Sequence, residues 1–493
     1  MTLCVPKIEI DVVTSSHLAR NGSSTVRGSV ASHHIWETAL FWGLCVGLSW
    51  APFWLGGTGL LPWGINAILF PGLLLVYEMS LVWRGQTEPV AVKWLAVPVT
   101  AMVAVLFWIW LQTATWVPGS LQNPIWEMAA EVIHVPVHGR ISVNPDATML
   151  ALLRLLTAGS VFWLSLQLCR DARRAIQLLK VIAFVVVGYT VWAFLSAMVL
   201  PDRTLWFPNP GANAALSSTF YNRNSYATYS GIGLILMIAV CLQHYREEAA
   251  RAGVPFRHRL ASILETTGRS GAVMIGSIVI LAVGLLGTGS RGGFISTAFG
   301  LFVFAALSAR SKQQRREQRL TIAAVALLLV ALFTAFGNEV LGNLEINGVQ
   351  DQSRLDVWKA AINSIVTAPS LGFGYGTFED IFPMFRTHLV APLTNHWAMA
   401  HDTYLEVLQG LGVLFGALLI GAVAWVSWLC LKGATTRETN LTVPRAAFSV
   451  SMLVGLHSLV DFSMQIQGIT ITVMAILGAG TAQAFSSRVR TSE

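Results

Sequence analysis

The sequence predicts an all-α polytopic membrane protein of about 12 transmembrane helices, with a large, partly helical loop on the outer side between helices 9 and 10. Three observations predict it. Of the 493 residues, 54% are hydrophobic and only 12% charged, about half the charged fraction of an ordinary soluble domain. The apolar residues come in runs of about 20 rather than in periodic stripes, which is the length a bilayer demands of a helix. Eighteen tryptophans suit a protein with two interfacial belts.

Taken in order, the runs fall near 37–56, 60–83, 94–113, 148–168, 177–200 and 226–243. Six more fall near 270–288, 294–309, 321–337, 403–431, 447–461 and 467–485. The eighth, ninth and eleventh are short. An even number of spans puts both termini on one side. Residues 1–34 are polar, lack an apolar signal-peptide region and read as a mobile cytoplasmic tail. Residues 35–485 form the membrane domain, 338–402 its large outer loop, and 486–493 a short cytoplasmic tail.

The net charge of +7 does not point to nucleic acid, because the basic residues are scattered among short loops. With the N-terminus inside, the inner tails and loops hold 24 of the 32 Lys and Arg residues, a clear positive-inside bias. The eight that remain within spans or outside are Arg140, Arg154, Arg203, Arg223, Arg291, Arg354, Lys359 and Arg386. Each stands against the topological rule and needs its own reason, snorkelling or a salt bridge being the plain one. The five cysteines show no CxxC or metal-ligand spacing and read as free thiols. No D-x-D or E-x-x-H pair lies on the outer side, so no metal site is expected.

Two outer segments are long. One, 114–147, contains WVPGSLQNPIWEMAAEV, whose middle suits a short amphipathic helix on the membrane. The other, 338–402, is too long for a connector and too apolar for disorder, the signature of a functional loop. Three constellations stand on this side. GTGSRGG at 287–293 places Arg291 in a tight glycine turn between the seventh and eighth spans, where backbone can approach a ligand or a neighbouring helix. SRLDVWKAAINSIVTAPSLGFGYGTF at 353–378 opens with Arg354 on a helix whose Leu355, Trp358, Ala361, Ile362 and Ile365 share a face, then closes with a glycine-rich turn. AHDTYLEVLQGLGVLFG at 400–416 carries a T-x-x-E capping box at Thr403 and Glu406, so His401 sits just before a helix N-terminus. Singly, each motif has a structural explanation: glycine packing, an interfacial histidine. Together they set two arginines and a histidine on one membrane face, which points to a phosphate-binding, base-assisted site.

At these residues the sequence resembles the O-antigen ligase family, which includes Wzy-type polysaccharide polymerases. The resemblance lies in FYNRNSYATY at 220–229, GSRGG at 289–293, SRLDVWKAA at 353–361, PSLGFGYGTF at 369–378, AHDTYLEVLQGLGVLFG at 400–416 and HSLVDFSMQI at 457–466. It covers residues from about 145 to the end, with WVPGSLQNPIW agreeing. It implies a GT-C-like membrane fold and a metal-independent, inverting glycosyltransferase without cofactor, acting at the periplasmic face of the bacterial inner membrane. The implied donor is a glycan on undecaprenyl pyrophosphate. The implied acceptor is lipid A–core in a ligase, or a lipid-linked repeat unit in a polymerase, in lipopolysaccharide or exopolysaccharide biosynthesis. By motif, Arg291 and Arg354 become pyrophosphate-binding residues and His401 the catalytic base. Asn222, Asn224, Asp402 and Tyr404 are further candidate contacts to donor or acceptor, although Asn222 and Asn224 equally suit helix capping. Asp402 stands where many members have Asn.

A twelve-span transporter or flippase is the rival from another class. Such proteins show internal repeats or interrupted helices with midplane charges. This chain shows no repeat, and only Arg154 is a clear intramembrane charge in its first half.

Overall fold

The computed structural model describes residues 23–200, 202–209, 215–251, 269–308, 352–386 and 397–485. The expected ninth span at 321–337, the start of the outer loop and the extreme tails lie outside the described residues. In chain order the helices are α1 (Ser23–Trp50), α2 (Leu60–Arg84), α3 (Ala96–Gln112), α4 (Ile125–Ile133), α5 (Pro145–Leu168), α6 (Ala172–Val199) and α7 (Arg223–Arg251). There follow α8 (Arg269–Gly287), α9 (Arg291–Ser308), α10 (Gln352–Thr367), α11 (Phe378–Phe385), α12 (Thr403–Thr436), α13 (Thr442–His457) and α14 (Gln467–Ala484). The one sheet among the described residues is a two-residue antiparallel pair, β1 (Arg203–Thr204) with β2 (Phe207–Pro208). The protein is all-α.

Local chemistry sets the helix ends. Asn144 accepts the N–H of Ala147 to cap α5, with Pro145 in the first turn where its missing N–H costs nothing. Asp171 caps α6 through the N–H of Arg173, at 2.7 Å. α1 reaches back to Ser23, inside the expected tail, because no proline or glycine pair interrupts propagation from the apolar run. It stops at Trp50, before Pro52, short of the expected residue 56. In the segment between α3 and α5, α4 exposes Met128, Val132 and Ile133, as an interfacial helix should.

Among the described residues, eight helices are long and apolar enough to cross a membrane: α2, α3 with the short turn before it, α5, α6, α7, α8, α9 and α12. α14 is not among them, because its two glutamines, three threonines and three glycines lower its hydropathy. It packs against α5, α12 and α13 and buries nearly every residue, so protein rather than lipid surrounds it. Its small residues allow close approach: a Cβ on Gly478 would lie 2.4 Å from the Phe162 carbonyl oxygen of α5. α7 is enclosed in the same way. These two helices are the axis of the bundle.

At one end of the bundle Arg170 donates to the carbonyls of Ala482 and Phe485, Arg437 donates to Gln483, and Arg174 pairs with Glu37 at 2.6 Å. Arg170 and Arg437 satisfy carbonyls at the end of α14, and all three cations lie on the side expected to face the cytoplasm. The other end gathers the starts of α7, α9, α10, α12 and α14 and the end of α13. Cys45, Cys169, Cys241 and Cys430 are free and buried among the spans.

α12 is broken. Gly412 has non-helical torsions, with φ 76° and ψ 166°, inside the element. The freed backbone groups are taken by the glycine turn after α10: Phe373 donates to the Gln409 carbonyl at 3.1 Å, Gly374 to Gly410 at 3.0 Å, and Val413 to Pro369 at 2.7 Å. Gly372 itself has φ 66°, and a Cβ there would sit 2.4 Å from the Gly410 oxygen. GFGYG is thus a splice across a membrane-helix break, which explains its glycines without a ligand.

Candidate functional site

The site is built from helix ends. Arg223 and Arg291 are the first residues of α7 and α9, and Arg354 is the third of α10. With Asn224, Gly289, Ser290 and Gly292, the three arginines line one cavity of about 80 Å³. Helix N-termini carry unpaired N–H groups and partial positive charge, so three of them with three guanidiniums make a strongly anion-selective pocket. The structure brings together Arg291 and Arg354, both expected from sequence, and adds Arg223, which was grouped only with the outer arginines.

The SRGG turn differs from expectation in detail. Ser290 caps α9 by accepting the N–H of Gly293 at 3.2 Å, so Arg291 opens the helix and both following glycines lie within it. Their lack of a side chain serves packing. A Cβ on Gly292 would lie 3.0 Å from His457 Nε2, and one on Gly293 2.5 Å from the Cβ of Ala227 in α7. The turn therefore holds α9 against α7 and α13 while Arg291 reaches the cavity.

α10 also packs differently from the predicted stripe. Val357, Ala360, Ala361 and Ser364 are buried, whereas Ile362 is 47% exposed. Small residues let α10 lie close on α11 and α12, while Ile362 and Val366 turn outward. Arg354 Nη1 donates to the carbonyl of Val460 at 3.1 Å, tying the cation to the loop after α13.

That loop holds the residue missed by sequence reasoning. α13 ends at His457, four residues before the expected limit of the span, which frees Asp461 from the helix. Asp461 is fully buried, and its Oδ1 lies 3.7 Å from His401 Nδ1. Its Oδ2 accepts the Ser463 hydroxyl at 2.6 Å. Ser463 and Thr228 hydroxyls lie 2.9 Å apart, and Thr228 Oγ1 lies 2.5 Å from His457 Nδ1. Burial acts to raise the Asp461 carboxyl, but His401, His457 and the Ser463 hydroxyl together hold it below the usual carboxylate range. The only signal in the sequence was the HSLVDFSMQI stretch, where an acid in an apolar tail has no local partner.

His401 sits in the left-handed region, φ 54°, between the rings of Trp397 and Phe462 with centroids at 5.4 and 4.7 Å. The strained backbone and the two aromatic edges fix the imidazole toward Asp461. The helix start is where the sequence put it, but the cap is one residue earlier. Asp402, not Thr403, accepts the N–H of Leu405 at 3.0 Å, and Glu406 reaches back to the N–H of Ala400 at 3.0 Å. Thr403 instead donates to the Asp461 carbonyl at 3.1 Å. A β-branched hydroxyl facing a neighbouring loop is better used there than in its own turn.

The other candidate contacts divide. Asn224 lines the cavity. Asn222 accepts the N–H of Asn224 at 2.7 Å and caps α7. Tyr404 donates to the Gly455 carbonyl at 2.8 Å, and Asp402 is the α12 cap, so both hold helices together. Arg154 donates to the Gln465 carbonyl and lies over Trp63 with 4.6 Å to the ring centroid. It is engaged within the bundle, which gives the intramembrane charge a structural reason. Among the described residues, no group of three His, Cys, Asp or Glu side chains gathers as a metal site.

A family model described as O-antigen ligase matches residues 276–421. This span contains Arg291, Arg354, His401, Asp402 and Tyr404, and stops short of Asp461. No curated protein matches the chain. Members of the matched family are glycosyl-transfer enzymes of the ligase and polymerase type. With eight helices among the described residues long and apolar enough to span a bilayer, the chain reads as a multi-pass membrane protein that is similar to the O-antigen ligase family over residues 276–421.

Proposed function

We propose that the protein transfers a glycan from an undecaprenyl-pyrophosphate carrier to an acceptor at the periplasmic face of the bacterial inner membrane, in surface polysaccharide assembly. The observation that carries this reading is the convergence of Arg223, Arg291 and Arg354 on one cavity, with the His401–Asp461 pair on segments bonded to the same helices.

The chemistry follows from those groups. An acceptor hydroxyl gives its proton to His401 Nε2 as its oxygen bonds the anomeric carbon. The bond from that carbon to the carrier phosphate oxygen breaks, and undecaprenyl pyrophosphate leaves with the electron pair. One displacement inverts the anomeric centre. The leaving group gains negative charge, which guanidinium forks stabilise bidentately. Asp461 orients the imidazole through Nδ1 and offsets its charge as the proton arrives. The 3.7 Å separation is one that closes as the imidazolium forms.

Lipid A–core is the proposed acceptor. The test supplies lipid-linked donor with that acceptor to purified protein, wild type and His401→Ala, in excess chelator. Transfer is expected in wild type despite the chelator, with a loss of about 10²–10⁴-fold in the variant. Near-normal transfer by His401→Ala, or activity that needs added magnesium or manganese, would sink the mechanism. Elongation of the donor in place of core attachment would move the protein from ligase to polymerase.

A further inference from the structure

The left-handed backbone at His401 needs something to hold it, and the residue before it shows what does. Ala400 is fully buried. Its N–H is held by Glu406 Oε2 at 3.0 Å, from the first turn of α12. Its carbonyl accepts the indole N–H of Trp358 at 3.1 Å, from α10. Both backbone groups of one alanine are thus taken by side chains from different helices. Trp358 lies four residues after Arg354, on the same face of α10. Ala400 belongs to a buried apolar cluster with Val357, Ala360, Ala361, Phe378 and Phe382. Just beyond, the N–H of Thr403 donates to the Ser458 carbonyl at 2.9 Å.

We infer that Trp358 and Glu406 are positioning residues: by clamping the Ala400 peptide groups they fix His401 in its left-handed conformation and hold its imidazole beside Asp461. This rests on His401 being the base. The clamp also joins the helix of Arg354 to the segment of His401, so the anion pocket and the base keep one geometry. Neither residue touches the reacting atoms. An imidazole displaced by about 1 Å loses alignment with the acceptor hydroxyl, at a cost on the order of 10²-fold in rate.

The test uses full-length protein with Trp358→Phe, Glu406→Leu and Glu406→Gln, each alone and combined with His401→Ala, and measures kcat and KM for the lipid-linked donor. Trp358→Phe keeps the ring packing and loses only the N–H. Glu406→Gln keeps an oxygen to accept the Ala400 N–H. Trp358→Phe and Glu406→Leu are expected to lower kcat by roughly 10–10²-fold with donor KM within about threefold, and Glu406→Gln to restore most of it. In the His401→Ala background none should slow the residual rate further, because they act through that residue. A slow His401→Ala with an unaffected Trp358→Phe overturns the clamp alone, as does an equal loss in both backgrounds. A near-normal His401→Ala overturns the base assignment beneath it.

Discussion

Arg354 has two visible duties, and replacing it with lysine separates them from charge. Its guanidinium lines the anion cavity with Arg223 and Arg291, and one of its nitrogens donates to the Val460 carbonyl at 3.1 Å. Arg354→Lys keeps the positive charge but cannot donate to both the carbonyl and a phosphate from one planar fork. A charge-assisted hydrogen bond of this kind contributes about 1.5–3 kcal/mol, and a lost donor at a developing anion costs about 2.7–4 kcal/mol in rate. The second figure corresponds to a drop of roughly 10²–10³ in kcat. The first appears separately, as a lower melting temperature in detergent, because Val460 tethers the loop that carries Asp461. The assay is glycan transfer from the lipid-linked donor by purified variants, with membrane abundance and melting measured on the same preparations. Arg354→Ala should be only slightly worse than Arg354→Lys. If lysine restores transfer to within about threefold of wild type, a sum of charges suffices, and bidentate recognition at this position is wrong.

Three further outcomes are expected. Asp461 titrates below its ordinary value when folded, so its contribution to stability is complete above about pH 4 and is withdrawn as pH falls through the lower folded value; melting profiles of Asp461→Asn should therefore lose the acid limb below pH 4 that wild type shows, and identical profiles would refute the coupling. Gly372→Ala forces a left-handed alanine, costing about 1–2 kcal/mol, against a backbone oxygen 2.4 Å away that has no rotamer to give; membrane abundance should collapse, while Gly421→Ala, whose added Cβ meets nothing within 4 Å, should express normally. Phosphatase fusions should be active at residue 350 and silent at residue 320, since the basic stretch Arg310–Arg319 is expected to be retained inside; the reverse pattern places the site on the wrong face.

The sequence by itself determined the class of the protein. Long apolar runs, sparse charge and the side bias of Lys and Arg need no tertiary information, because the bilayer imposes them on each segment separately. Arg291 and Arg354 stood out as candidates for a related reason: they fall on the side expected to be outside, where the topological rule leaves few cations, and His401 stood out by its place before a helix start. Their neighbours were not. Arg223 meets the other arginines only because α7 and α9 pack through Gly293 and Ala227, a contact across more than 60 residues of chain. Asp461 joins His401 across another 60, and it is free to do so only because α13 ends at His457. The GFGYG turn could be read from sequence only as glycine-rich; its glycines answer a break in α12. Sequence spacing reports what one helix does with its own residues. Which helix ends share a cavity, and which buried acid faces which histidine, is decided by packing between elements distant in the chain, where no local periodicity carries the information.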